Sequence, residues 1–451
     1  MLTPSQPARA PLQTARLTST TTSTSRILHS TPRTHSQYQS PSHPQPRAKR
    51  QSRLPASYYR GGTSRAVLFQ AKDLPRCRAD WAPIFRSVIG SPDPIYGRQL
   101  DGMGGGISSL SKICIITPDV DYTFAAVGVR NDTVDYSSNC GNMSAAIGPF
   151  AVDSGLIRSP RITRFAVVNI HNTNTGKIIR STFPLVDEHD QAEEEAAATG
   201  PLRIAGVSGT GAPIRLDFLD PAGSKTGKLL PTGAVTDDFD LTTEDSASTA
   251  ATSPTYDSFA WGQVRATCID VGNPCVFVHP SALFRIPTAG IAQLMLPSEI
   301  EDNVTLMERL ESLRRAAAVR MGVAKDSQSV PESVPKIAMV WTPRQFDVEV
   351  AGLLKEDGQV CVRALSVGQA HKAVPVTVAL ALAAAARIPG SVVHDNESGD
   401  VMRNDGLQIS HPTGVALVDT MWDDEGHLKS AGLYSTARRL MDGTVFYKTA
   451  E

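Results

Sequence analysis

The sequence predicts an α+β protein made of two similar halves, each a curved β-sheet around a central helix. Short apolar runs such as residues 66–69, 113–116 and 122–127 alternate with glycine turns, a pattern typical of strands. Residues 143–157 and 374–388 are apolar on nearly every face, which indicates helices enclosed by other structure. A polar, glycine-containing turn precedes each of these helices, and this weak internal repeat predicts the two halves.

Composition places the chain among ordinary globular proteins. Its 451 residues allow two or three domains, and 41% are apolar against 20% charged. A net charge of −1 argues against nucleic acid or an anionic membrane as a partner, so we expect a small-molecule ligand. No apolar stretch reaches the roughly 18 to 20 residues that span a bilayer. The six cysteines are scattered without a C-x-x-C pair, which argues against a zinc site or disulfide framework and favours a reducing compartment.

The N-terminal residues 1–53 differ from the rest of the chain. Seventeen of the first 50 residues are Ser or Thr and seven are Arg or Lys, while the first acidic residue is Asp73. An acid-free start rich in Arg and Ser is typical of a mitochondrial transit peptide, which predicts the mitochondrial matrix. The alternative is a disordered tail on a cytoplasmic protein.

We expect the folded part to begin near Leu54. The first half is predicted over residues 54–190, with a C-terminal return strand near 436–451, and the second half over 191–435. Within the second half, residues 236–256 are predicted as a solvated surface insertion. An amphipathic helix is expected over residues 300–321, and the polar stretch 323–334 that follows it is not expected to carry chemistry.

The most informative motif is Ser-Asn-Cys-Gly-Asn-Met-Ser at 138–144, directly before the first central helix. A turn that leads into a helix directs free backbone N–H groups and the positive end of the helix dipole at its occupant. Such a position favours the thiolate form of Cys140, with Gly141 and Asn142 beside it for close approach of a ligand. A lone cysteine is otherwise a small buried apolar residue.

A second candidate is the glycine and serine loop over residues 101–112. It lacks the spacing of a nucleotide-binding loop, so we expect its backbone and the Ser108 and Ser109 hydroxyls to hold carboxylates. Lys112 lies before an apolar strand and is predicted to point into a pocket as a cation or general base. The Arg60–Arg65 turn predicts a further anion site. In the second half, polar groups follow apolar runs at Asn273, His371, Lys372, His411 and Thr413.

These motifs resemble the PrpF family in identity and in order. The matching segments are Arg-Gly-Gly-Thr-Ser at 60–64, Gly-Gly-Gly-Ile-Ser-Ser-Leu-Ser-Lys at 104–112, Asn-Cys-Gly-Asn-Met-Ser-Ala-Ala-Ile-Gly-Pro-Phe at 139–150, Gly-Thr-Gly-Ala-Pro-Ile at 209–214, Lys-Thr-Gly-Lys-Leu-Leu-Pro-Thr-Gly at 225–233 and Asn-Pro-Cys-Val-Phe-Val at 273–278, with the later His-Lys-Ala and His-Pro-Thr-Gly segments. The family includes methylitaconate, 2-methylaconitate and fungal aconitate isomerases of propionate and tricarboxylic acid metabolism.

The resemblance implies a diaminopimelate epimerase-like fold with its active site between two halves. Epimerases of that fold carry one catalytic cysteine at the start of each central helix. Cys140 matches the first, whereas residues 368–371 stand near the second and contain no cysteine. The resemblance therefore implies that Cys140 pairs with Lys112 as the catalytic residues. It implies substrate-binding roles for Arg60, Thr63, Ser64, Gly105, Ser108, Ser109, Gly141, Asn142, Asn273, His371, Lys372, His411 and Thr413.

The implied activity is a cofactor-independent shift or cis-trans isomerisation of the C=C bond in an unsaturated di- or tricarboxylic acid. We expect neither a cofactor nor a metal. Lys112 or the Cys140 thiolate would remove an allylic proton, and the sequence leaves open which is the base. Two alternatives remain: an amino or hydroxy acid epimerase, and an accessory protein for an iron–sulfur dehydratase. The preferred acid and the oligomeric state, a homodimer included, also stay open.

Overall fold

The computed structural model describes residues 50–158, 164–186, 195–241, 262–283, 296–342, 359–394 and 406–449. The chain divides into residues 1–49 and residues 50–451, and only the second unit contains described residues. The predicted transit segment therefore lies outside the described residues, apart from its last four positions. Residues 242–261, which fall within or directly after the predicted insertion, lie outside them as well. None of the described helices has the length and apolar character needed to cross a bilayer.

The described part of the chain contains α-helices and strands in the following order. The helices are α1 (Trp81–Ile89), α2 (Gly141–Asp153), α3 (Pro297–Asp302), α4 (Val304–Arg320) and α5 (Val376–Ala385). The strands are β1 (Ser52–Gly61), β2 (Ser64–Gln70), β3 (Lys112–Ile116), β4 (Asp121–Val127), β5 (Val134–Asp135), β6 (Phe165–Asn172), β7 (Lys177–Pro184), β8 (Ile214–Leu219), β9 (Asp237–Asp240), β10 (Gln263–Asp270), β11 (Pro274–Val278), β12 (Lys336–Trp341), β13 (Val360–Ser366), β14 (Gln369–Ala370), β15 (Leu407–His411), β16 (Gly414–Trp422), β17 (Leu428–Ser435) and β18 (Ala437–Tyr447).

The strand pairing repeats once along the chain. Hairpin β1–β2 is followed by β3–β4, the short strand β5, helix α2 and the meander β6–β7–β8. Hairpin β10–β11 is followed in the same way by β12–β13, β14, helix α5 and β15–β16–β17. Strands β8 and β17 pair with each other and so connect the sheets of the two halves. Strand β18 pairs with β1 in the first half, and β9 pairs with β10 in the equivalent place of the second half. The predicted fold of two similar halves is confirmed.

The central strand of each half is buried on both faces. In β3, Ile113 and Ile115 join one apolar cluster with α1, while Cys114 and Ile116 join another with α2. Successive side chains of a strand point to opposite faces, so a continuous apolar run fits a strand covered on both sides. The second half repeats this layering in β12, with α4 on its outer face and α5 on its inner face.

The two central helices share one core. Both α2 and α5 contribute to a single cluster of buried residues that also includes the inner faces of the sheets. Helix α2 ends where the Ser154 hydroxyl donates to the Phe150 carbonyl and Gly155 adopts a positive φ of 68°. Helix α5 begins after Pro375, which lacks an N–H and is tolerated at a helix start. Each helix is thus slightly shorter than its apolar run.

Two local differences from the sequence predictions have simple causes. The helix expected over 300–321 is two helices, because Asn303 leaves helical geometry and its side chain caps the Leu306 N–H of α4. Strand β9 lies at the start of the segment predicted as a surface insertion, where it pairs with β10 and buries Phe239.

The N-termini of α2 and α5 meet in the middle of the molecule. A Cβ atom added at Gly141 would lie 2.7 Å from Val376 Cγ1 and 2.8 Å from Val376 Cβ. Real Cβ atoms do not approach that closely, so only glycine at position 141 allows this contact. The approach of the two helix starts fixes where the first turns of both helices lie.

We therefore predict that Gly141→Ala lowers the free energy of unfolding by about 1–3 kcal/mol, because the new methyl group overpacks this contact. Urea unfolding of the full chain measures the effect. Gly262→Ala is the matched control, since a Cβ at Gly262 would meet nothing within 4 Å. Equal stability of the Gly141→Ala and Gly262→Ala proteins would contradict the prediction.

Candidate active site

A cavity of about 440 Å³ lies between the two halves. Its walls include the first residues of β3 and β12 and the first turns of α2 and α5. The first intrahelical bonds run from Ser144 N–H to the Cys140 carbonyl and from Ala379 N–H to the Pro375 carbonyl. The backbone N–H groups before them are left without intrahelical acceptors. Two helix N-termini therefore border one cavity, an arrangement that favours anionic ligands.

Cys140 is the N-cap residue of α2 and lines this cavity. It is 8% exposed. Its side chain makes no capping hydrogen bond, so the sulfur is not paired with an N–H group of the first helical turn. The Tyr122 hydroxyl donates to the Cys140 carbonyl at 3.4 Å, and the Ser144 hydroxyl donates to the same oxygen at 3.3 Å. These bonds fix the backbone of Cys140, whose side chain lines the cavity.

Lys112 begins β3 and also lines the cavity. It lies on the same face of the strand as Cys114 and Ile116, which pack toward α2. Its ammonium nitrogen is 4.9 Å from the centre of the Phe124 ring. The preceding residue, Ser111, is held by a donated bond to the Val127 carbonyl and an accepted bond from Gln99. The start of β3, and with it Lys112, is therefore firmly placed.

Asn273 joins the two halves behind Cys140. Its Oδ1 accepts from the Asn139 N–H at 2.9 Å, and its Nδ2 donates to the Asn139 carbonyl at 2.8 Å. The same nitrogen donates to Thr377 Oγ1 of α5 at 3.1 Å. Asn273 is fully buried and does not line the cavity. It positions the residue before Cys140 and is not placed to touch a ligand.

His371 lines the second-half wall, and its Nε2 is buried with no hydrogen-bond partner among the described residues. Burial lowers the pKa of His371 to about 3, with smaller effects from the charges of Lys336 and Lys112. The imidazole is therefore neutral at physiological pH. An unpaired buried nitrogen that faces a cavity is suited to a hydrogen bond with a ligand.

Polar contacts between the halves surround the cavity. The Ser108 N–H donates to Gln369 Oε1 at 2.8 Å, and the Ser137 and Ser333 hydroxyls lie 2.9 Å apart. Asn131 also donates to Glu332 Oε1 at 3.1 Å. Two of these bonds are part-buried and the third is exposed. Together with the buried bonds of Asn273, they link the two halves around the cavity.

The structure brings seven of the predicted site residues to this cavity. These are Ser64, Ser108, Lys112, Cys140, Gly141, Asn142 and His371. The other eight do not line it: Arg60, Thr63, Gly105, Ser109, Asn273, Lys372, His411 and Thr413.

Several of those eight have other local partners. The Arg60 guanidinium donates to the carbonyls of Gly62 and Thr436, so it braces the β1–β2 turn. The Thr63 N–H donates to Asn142 Oδ1 at 3.4 Å. His411 is buried beside Thr413, and burial lowers its pKa to about 4.

Other cavity residues escaped the sequence prediction. The polar stretch that was not expected to carry chemistry contributes Glu332 and Ser333 to the wall. Lys336 lines it as well, and an available signal was overlooked: a lysine before an apolar strand, as at Lys112. The start of α5 is the counterpart of the Cys140 position, and its N-cap residue is Pro375 rather than a residue of the expected 368–371 segment.

We predict that Asn273→Ala lowers the free energy of unfolding by about 2–4 kcal/mol. The change removes three buried hydrogen bonds and leaves the N–H and carbonyl of Asn139 unpaired. The midpoint of urea unfolding reports this loss. Gln328→Ala, at an exposed position, is the control and should leave the midpoint unchanged. An Asn273→Ala protein with the wild-type midpoint would refute the positioning role.

We also predict a pH dependence of stability from His371. The folded pKa of about 3 lies below the ordinary value of 6.5, so its stabilising effect is complete above pH 6.5. As the pH falls toward 3, the unfolded chain takes up a proton that the folded chain does not, and stability declines. His371→Gln should make this decline shallower by at most about 1.4 kcal/mol per pH unit.

Urea unfolding at several pH values between 4 and 7 measures the slope. Exposed Gln328→Ala, which removes no titrating group, is the control and should keep the wild-type slope. Superimposable pH profiles for the wild type and His371→Gln would show that His371 is not held neutral by the fold.

Comparison with known proteins agrees with this architecture. The family model described as "PrpF protein" matches residues 51–448. The 3-methylitaconate isomerase of Eubacterium barkeri is 34% identical over 414 residues, which cover 89% of this chain and 99% of that protein. The 2-methyl-aconitate isomerase of Cupriavidus necator is 35% identical over 419 residues, with coverage of 88% and 97%.

Among solved structures, the fold is similar to a crystal structure of methylitaconate-delta-isomerase. The TM-score is 0.63 at 33% sequence identity, and the match covers 88% of this chain and 96% of that one. The matches span both halves and all of the residues that line the cavity. The chain therefore belongs to the PrpF family.

Proposed function

We propose that the protein is an isomerase that moves the C=C bond of an unsaturated di- or tricarboxylate by allylic proton transfer. The observation that carries the proposal is the shared cavity of Lys112 and Cys140, at the point where two helix N-termini meet. One lysine and one thiol provide groups that can accept and donate protons. The helix starts provide donors for carboxylates and for developing negative charge.

Charge and size favour a small polycarboxylate as substrate. A cavity of about 440 Å³ lies toward the lower end of the range of small-molecule sites, roughly 300 to 1,000 Å³. No described carboxylate lies within ion-pair distance of Lys112, so its positive charge is available to an anionic ligand. The relatives are named for methylitaconate and methylaconitate, which carry two and three carboxylates. In a substrate of this class, different carboxylates can accept hydrogen bonds from the free N–H groups of the two helix N-termini.

In the proposed reaction, Lys112 or Cys140 takes a proton from the carbon next to the double bond. The C–H electron pair spreads over the three-carbon unit and into the adjacent carboxylate, and a proton is returned at the other end. The net change moves the double bond or alters its geometry, with no electrons gained or lost. Free N–H groups of α2 and the hydroxyl of Ser64 are placed to stabilise the enolate-like charge.

Two-thiol racemisation receives no support from the described residues. That chemistry needs a second acid or base matched to Cys140, and the corresponding helix start in the second half carries Pro375. We therefore favour movement of a double bond over inversion of a stereocentre.

Proton NMR in D₂O tests the reaction class with the full-length protein. We expect a change of the vinyl signal with deuterium incorporation when cis-aconitate, 2-methylaconitate or methylitaconate is supplied separately, and the fastest substrate identifies the preferred acid. Deuterium at a stereocentre without movement of the double bond would indicate an epimerase. No exchange with any of the three, combined with restoration of an inactive aconitase-like enzyme, would favour the accessory role.

We predict that Lys112→Ala and Cys140→Ser each lower kcat by at least about 100-fold, because each removes a group that transfers a proton. Steady-state assays on the acid identified by NMR measure the effect. Lys72→Ala and Cys77→Ser are the matched controls, since both residues are exposed and outside the cavity. Wild-type turnover in both cavity variants would rule out the assignment.

A further inference from the structure

The second half contributes a lysine at the place that corresponds to Lys112. Lys112 is the first residue of β3, and Lys336 is the first residue of β12. Both strands occupy the same position in the repeated topology, with a parallel neighbour on one side and an antiparallel neighbour on the other. By alternation along β12, Lys336 shares the inner face with Ala338 and Val340. Each central strand therefore begins with an inward lysine.

The ammonium group of Lys336 is hydrogen-bonded only to neutral partners. The residue is 8% exposed and lines the cavity. Its ammonium group donates to Ser366 Oγ at 2.9 Å and to the Ser333 carbonyl at 3.3 Å. These two neutral acceptors use two of its three N–H groups. Among the described residues, no carboxylate forms an ion pair with Lys336.

A buried ammonium group without an opposite charge is costly, and proteins rarely keep one unless it meets an anion. Here the open side of Lys336 is the cavity, which the α2 and α5 helix starts also border. All of these features favour negative charge at one location. Lys112 and the start of α2 already offer one carboxylate site in the first half. Lys336 and the start of α5 are therefore available for a second carboxylate.

We propose that Lys336 binds a second carboxylate of the substrate, so that the two strand-initial lysines hold a polycarboxylate from opposite halves of the cavity. The inference deepens the proposed function and rests on it for the class of substrate. It assigns Lys336 a role in ground-state binding rather than in proton transfer.

Titration behaviour agrees with this placement. Burial and, to a smaller extent, the nearby charge of Lys112 lower the pKa of Lys336 to about 8. Three groups oppose this decrease and raise the pKa of Lys336: Cys275 of β11, Cys140 at the start of α2, and Asp135 of β5. A bound carboxylate would raise it as well. Binding at pH 8 should therefore be accompanied by proton uptake, which Lys336→Met abolishes.

Isothermal titration calorimetry with tricarballylate tests the proposal. This saturated tricarboxylate has no double bond to move, so the assay measures binding even if the protein isomerises none of the acids supplied. We expect at least a tenfold weaker affinity in Lys336→Met than in the full-length wild type. Titrations at pH 8 in two buffers of different ionisation enthalpy report proton uptake, which should occur in the wild type alone.

Lys325→Met, at an exposed position, is the matched control and should bind as the wild type does. Lys336→Gln, which keeps a hydrogen-bond donor for Ser366 but no charge, should be as weak as Lys336→Met; thermal unfolding checks that each variant is folded. Equal affinity in wild type and Lys336→Met, or no binding of tricarballylate to the wild type, would overturn the proposal.

Kinetics separate this role from that of the catalytic pair. With an acid that the wild type isomerises, Lys336→Met should raise KM at least tenfold and change kcat much less. A large loss of kcat with unchanged KM would contradict the binding role and place Lys336 in the proton-transfer step. If the wild type isomerises no acid but still shows Lys336-dependent binding, the proposed reaction fails while the carboxylate site stands.

Discussion

The close contact between the starts of α2 and α5 is the constraint on which the site depends. Gly141 lies against Val376 with no room for a Cβ, and both helices are enclosed in one shared core. Because the helices meet end to end, their unpaired N–H groups face one small volume. Asn273 reinforces the arrangement by its bonds to Asn139 and Thr377. The proposed anion site is therefore a consequence of how the two halves pack.

This packing also explains the separation of roles among the polar residues. Residues with several internal partners, such as Arg60 and Asn273, maintain the turns that surround the site. Groups that lack such partners, such as the buried Nε2 of His371, face the cavity. An unpaired buried polar group costs stability, and a ligand that pairs with it recovers that cost. Binding energy from the carboxylates can in this way hold the substrate beside Lys112 and Cys140.

Sequence patterns predicted the architecture well because they reflect local physics. The apolar runs predicted β2, β3, β4 and both central helices, since burial on all sides requires uniformly apolar segments. Cys140 was also located correctly at the start of α2, because a turn before an apolar helix has a clear local signature. Contacts between distant segments could not be predicted this way. His371 and His411 follow similar apolar runs, yet only His371 reaches the cavity, and nothing local distinguishes them. Lys336 was missed although its local pattern matches that of Lys112.

In the proposed complex, one polycarboxylate binds between the halves with its allylic carbon beside Lys112 and Cys140. We would first determine a crystal structure of the full-length protein with tricarballylate. We expect one carboxylate at the N-terminus of α2, a second near Lys336, and the carbon between them within reach of the Lys112 nitrogen and Cys140 sulfur. A ligand bound outside this cavity, or held by one half alone, would refute the proposed binding mode.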